Sequence, residues 1–174
     1  MGTQQILLIV LSVIIVGAAI AVGIQMFNNQ AYSSNKSAIA ADAQSYASQV
    51  VQYYKTPESQ GGAGGKDENM TAEKIGGYIG FVKGTGSGET PWAVTEYGIQ
   101  NDNGVYTIAS ADIDVTTAGA PEVTINGLGR EEKGKKNPGI ATTITFPAGT
   151  ITAVASDEPV ASTPGGGEGD DGDE

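Results

Sequence analysis

Residues 6–24 read ILLIVLSVIIVGAAIAVGI, and the reading of this run decides the fold. Its 19 residues are interrupted in apolar character only by Ser12, Gly17 and Gly23. As a helix rising about 1.5 Å per residue, it spans roughly the 30 Å of a bilayer core. No charged side chain precedes Lys36 and no proline precedes Pro57, so nothing forces the helix to stop where the apolar run stops. A cleaved secretory signal would show a basic start and a small-residue cleavage site after a shorter core, and neither is clear here. Without flanking Lys or Arg on the N-terminal side, charge does not set an orientation in a membrane.

Working outward, residues 32–54 change character. Tyr32, Ile39, Ala43, Tyr46, Val50 and Tyr53 recur at helical spacing and form one stripe, with Ser, Lys, Asp and Gln on the other faces. One helix is therefore expected to run unbroken from about Gln5 to Tyr54, within an N-terminal segment 1–56. Tyr46, Val50 and Tyr53 are expected to pack against a sheet. Pro57 and the glycine run 61–65 end the helix. Residues 57–91 read as a glycine-rich connection, with Thr71–Ile75 as a short helical turn closed by Gly76-Gly77.

From Trp92 the signal is β. Ala93–Ile99 and Val105–Ala109 flank an Asn-rich turn ending in Gly104. Asp112–Thr116 and Glu122–Ile125 flank Ala118-Gly119-Ala120-Pro121, and Ala141–Phe146 and Thr150–Ala155 flank Pro147-Ala148-Gly149. Val, Ile, Thr and Tyr dominate these segments, as half-buried strands require. The fold class is thus α+β: a long hydrophobic-then-amphipathic helix packed on a small antiparallel head, residues 92–156. Residues 157–174 lack the apolar content to order themselves and read as a disordered acidic tail.

Charge narrows the functional classes. The net charge is −11, and seven of the 20 acids lie in the last 18 residues, leaving −4 for the rest of the chain. A nucleic-acid partner is not expected, because phosphate binding needs clustered Lys and Arg. Four of the nine basic residues do cluster in 130–136, REEKGKK, which reads as an exposed loop. The chain has no cysteine and no histidine, which excludes disulfides, thiolate or imidazole metal sites and the triads built on those groups. No cofactor and no enzymatic activity are expected.

Other patterns are weaker. The glycines before Lys66 do not make a phosphate loop: Gln60 stands at the first glycine position and Asp67 follows the lysine. Asp112 and Asp114, two apart in an expected strand, would share a face and could meet a cation, though a wet sheet face is the plainer reading. Asn35 and Asn69 sit in N-glycosylation sequons. The tyrosines of the amphipathic half read as packing surface. Gly17/Ala21 and Ala19/Gly23 are small-xxx-small pairs that let helix backbones approach closely.

The uncharged start, the apolar run and its amphipathic extension together resemble the N terminus of type IV pilins and related filament subunits. The resemblance covers Met1 to about Tyr54 in pattern and the head only in class. It implies a subunit held in the membrane by residues 6–24, then extracted by a pilus assembly machinery and packed helix to helix as a homopolymer on the cell surface. Roles in adhesion and motility would follow. Gln5 stands where many bacterial members carry a glutamate that pairs with a neighbour's terminal amine. The charged leader of the family is not visible before Met1, so Met1 would be the mature start or processing would differ. The cysteine pair of many bacterial heads is missing. The alternative is a single-pass membrane-anchored β-domain protein, including a minor pseudopilin-like component of a secretion system.

Overall fold

The computed structural model describes residues 2–85, 90–116, 120–131 and 136–156. Helix α1 runs unbroken over Gly2–Lys55, as a sequence with no charge before Lys36 and no proline before Pro57 predicts. Its end is closed by the glycine loop that follows. Ala63 N–H donates to the Tyr53 carbonyl at 3.0 Å, Gly65 N–H to Tyr54 at 2.9 Å and Gly64 N–H to Thr56 at 2.9 Å. These bonds satisfy carbonyls that a helix C terminus leaves without partners. Gly61, Gly64 and Gly65 all have positive φ, which explains why the loop is written in glycine.

A second helix, α2, spans Ala72–Ile79, with the Thr71 hydroxyl accepting from Lys74 N–H at its start and Gly80 (φ 83°) at its end. Gly76-Gly77 therefore does not close a helical turn but lies inside the helix. A Cβ on Gly76 would come within 2.9 Å of Tyr97 Cβ, so this glycine permits close approach of α2 to the sheet.

Among the described residues seven strands form one antiparallel sheet: β1 Val82–Lys83, β2 Glu96–Gln100, β3 Gly104–Ala109, β4 Ile113–Asp114, β5 Glu122–Gly129, β6 Gly139–Thr145 and β7 Thr150–Ser156. The order is β1-β2-β3-β5-β6-β7, with β4 beside β3 on the same edge of β5. The expected hairpins are present with shifted ends. β2 begins at Glu96 rather than Ala93, because the Glu96 carboxylate accepts from Ala93 N–H and closes a turn there. The strand expected over Asp112–Thr116 is only Ile113–Asp114. Between Thr107↔Asn126 and Ile113↔Val123 the register along β5 slips by three residues, the length of the 3-10 turn Ser110–Asp112. Asp112 braces that turn, accepting from Ala109 N–H at 2.9 Å and Asn126 Nδ2 at 3.0 Å. Asp112 and Asp114 therefore do not share a strand face.

β5 continues past the expected Ile125 to Gly129. Gly127 sits directly opposite Tyr106, and a Cβ there would meet Ile140 at 2.7 Å and the Tyr106 ring at 3.2 Å. The core lies between this sheet and the second half of α1. Ile39, Ala43, Ala47, Val50 and Tyr53 meet Tyr106, Ile108, Val123, Ile125, Ile140 and Ile144, with Met70, Ile75, Ile79 and Phe81 closing one side. The segment 57–91 is therefore part of the head, contributing α2, β1 and core residues. The acidic tail, the loop centre 132–135, the glycines 86 and 88 and the turn around Gly119 lie outside the described residues.

Candidate functional site

The most unusual surface is the first half of α1. Every residue from Gly2 to Gln30 is exposed, a projection of about 44 Å. Its large apolar side chains lie open, from Ile6 at 63 % to Phe27 at 74 % exposure. The one hydroxyl within the run is already used, Ser12 Oγ donating to the Ile9 carbonyl at 2.8 Å. A helix of this length and apolarity is long enough to cross a membrane. Gln5 is exposed at its start. Gly17 and Gly23 have open space where a Cβ would sit, and with Ala19 and Ala21 they leave shallow places on the rod.

The covered half begins abruptly at Tyr32, which is buried. Asn35 ties α1 to the head: its Nδ2 donates to the Asn103 carbonyl at 2.8 Å and its Oδ1 accepts from Glu131 N–H at 3.3 Å. One turn pair further on is the residue that the helical pattern hides. Asp42, assigned from sequence to a solvent face, turns toward the sheet. Its Oδ2 accepts from Asn101 Nδ2 at 2.9 Å, Asn103 Nδ2 at 2.8 Å and the Tyr106 hydroxyl at 2.9 Å. Burial pushes this carboxyl up, but the three hydrogen bonds outweigh it and hold it below its ordinary value. Burial and the same carboxylate push the Tyr106 phenol well up. The only sequence signal for this cluster was an Asp between Ile39 and Tyr46 together with an Asn-rich turn.

The residues expected to pack on the sheet occupy three different settings. Val50 is fully buried. Tyr46 is half-buried, its ring 5.1 Å from both Phe81 and Tyr106. Tyr53 is buried against α2 and the loop before it, its ring 5.2 Å from Tyr78 and its hydroxyl donating to the Asn69 carbonyl at 2.9 Å. Ala47 and Tyr54 are also buried, so the covered stripe is wider than the spacing predicts.

Both sequon asparagines are engaged. Asn69 Nδ2 donates to Glu58 at 2.7 Å and to the Ala63 carbonyl at 3.1 Å, while its Oδ1 accepts from Lys74 at 2.7 Å. A glycan on either Nδ2 would replace a hydrogen of an amide that ties two segments together. Beside Asn69 lies an open depression of about 770 Å³, lined by Glu58, Lys66, Glu68, Lys74 and Tyr78. The Lys66–Glu58 ion pair at 3.0 Å already spans its rim. Among the described residues no three of Asp, Glu, His and Cys gather as metal ligands would. The surface set apart from an ordinary folded head is therefore the bare rod. No protein-family model, no curated protein and no solved structure matches this chain.

Proposed function

We propose that this chain is a structural subunit of an extracellular, type IV pilus-like filament that polymerises through the first half of α1. The observation that carries this reading is one unbroken helix, bare and apolar over Gly2–Gln30 except for polar ends, and packed on a sheet from Tyr32. A rod with this much exposed apolar surface requires a cover of lipid or of other protein. Lipid covers it before assembly, and copies of the same rod cover it afterwards. The small residues Gly17, Ala19, Ala21 and Gly23 suit close backbone approach. A continuous helix keeps every backbone group paired inside an apolar filament core. The role is structural, with a membrane and a pilus assembly machinery as partners before polymerisation.

Gly17→Ile tests the proposal. The substitution preserves the apolarity needed for insertion and adds bulk where backbones would touch. The variant should accumulate in the membrane at normal levels and yield few or no filaments by negative-stain microscopy. Normal filaments would overturn the packing account. A wild-type chain that stays membrane-held and never polymerises would favour an anchored β-domain protein instead.

A further inference from the structure

The sheet has two edges, and the protein treats them differently. The β1 edge is guarded. It is only two residues long, it carries Lys83, and the Trp92 indole donates to its Val82 carbonyl at 2.9 Å. Short length and edge lysines are how folded proteins prevent strands of other molecules from adding to a sheet. The β7 edge has none of these features. It is seven residues long, TITAVAS, with no charge, proline or glycine. It pairs with β6 over its full length, and among the described residues no strand lies on its other side. Val154 is 63 % exposed. Residues of this type in an open edge favour pairing with a further strand.

We propose that β7 is a strand-pairing site for β7 of a second copy of this chain, in antiparallel register about Ala153. That register places Ile151 opposite Ala155 and Thr152 opposite Val154, with Ala153 facing itself and no charge opposed anywhere. The charge that follows β7 selects the direction. Residues 157–174 carry seven acids and no basic residue. Parallel pairing would start both acidic segments side by side. Antiparallel pairing starts them at opposite ends of the paired strands, roughly 20 Å apart at about 3.3 Å per residue. That exceeds the screening length of about 8 Å at physiological salt. The contact is a closed two-fold, so it cannot repeat along a polar filament and would join heads of separate filaments or of separate membrane-held chains. It does not depend on whether the rods polymerise.

The absence of cysteine makes the test direct. Single-cysteine full-length chains, Ala153→Cys and, as a control on an exposed site elsewhere on the head, Val94→Cys, would be oxidised mildly in detergent micelles. Ala153→Cys should form disulfide-linked dimer at least tenfold faster than Val94→Cys. Adding Thr152→Lys and Val154→Lys places like charges opposite one another across the pair and should bring the rate down to the control, with circular dichroism unchanged. Equal rates for the two single-cysteine chains would overturn the proposal, as would a fast Ala153→Cys rate insensitive to the added lysines. If cross-linking appeared only after truncation beyond Ser156, the chain's own tail rather than a second copy would be the occupant of the edge.

Discussion

The two halves of α1 share one backbone helix but answer to different surroundings. From Tyr32 to Lys55 the apolar residues occupy a stripe, the stripe is buried, and polar side chains such as Asn35 and Asp42 tie the helix to the turns of the sheet. From Gly2 to Gln30 apolar residues occupy every side over Ile6–Ile24, and none is covered. A stripe needs one partner; an apolar surface all round needs an apolar surrounding. The covered half is thus stabilised inside the monomer, and the bare half finds no such cover among the described residues.

Equivalent substitutions in the two halves should separate these roles. Val50→Asp has the largest expected effect. It puts an unpaired carboxylate into a fully buried site at a cost on the order of 4 kcal/mol, enough to unfold an ordinary head. A melting temperature within a degree or two of wild type would mean that this face looks outward. Asp42→Ala comes next, leaving the Tyr106 hydroxyl and two amides without their acceptor, and should cost about 1–3 kcal/mol in thermal or chemical melts. The same group gives a pH dependence. Its folded carboxyl is held below its ordinary value, so its contribution is present above the unfolded carboxylate value and is lost as pH falls through the lower folded one. Wild type should therefore lose stability over the acid range more steeply than Asp42→Ala.

Thr142→Val should be smaller and of opposite sign. Thr142 is fully buried and its hydroxyl has no partner among the described residues, so an isosteric methyl should leave stability unchanged or raise it by about 1 kcal/mol. Destabilisation beyond that would reveal a partner for the hydroxyl. Val16→Asp should leave the head's melting temperature unmoved while weakening the membrane insertion and assembly proposed above. A shifted melting temperature would show that the bare half contributes to head stability and would erase the distinction between the halves.

The sequence made the long helix, its stripe and the three hairpins legible, because each rests on periodicity or on turn residues a few positions apart. It misled where a residue serves a distant neighbour. Gly76 looks like a helix stop but makes room for Tyr97, and the strand expected to end at Ile125 runs on through Gly127, which makes room for Tyr106. Asp42 looks solvated because the Asn101, Asn103 and Tyr106 donors are about sixty residues away in the chain. The two-residue β1 has too little pattern to be seen, and Asp112 reads as a strand residue until the register slip places it in a turn. For the bare half the position was reversed. Its apolar character and small residues were fully legible, because that surface depends on composition alone.

An unbroken α1 also fixes a phase. Ala21 and Ile39 are 18 residues apart, which is about five whole turns, so they share one azimuth on the rod. Gly17 lies within roughly 40° of the same line, while Ala19 and Gly23 fall on the far side. One small-residue pair therefore sits beneath the head-bearing side and the other on the back. With no joint between stem and head, a chain in the proposed filament would offer a shallow front to one neighbour and a shallow back to the next. Inserting a single residue near Gln30 would preserve both halves yet rotate the head by about 100° relative to those two faces.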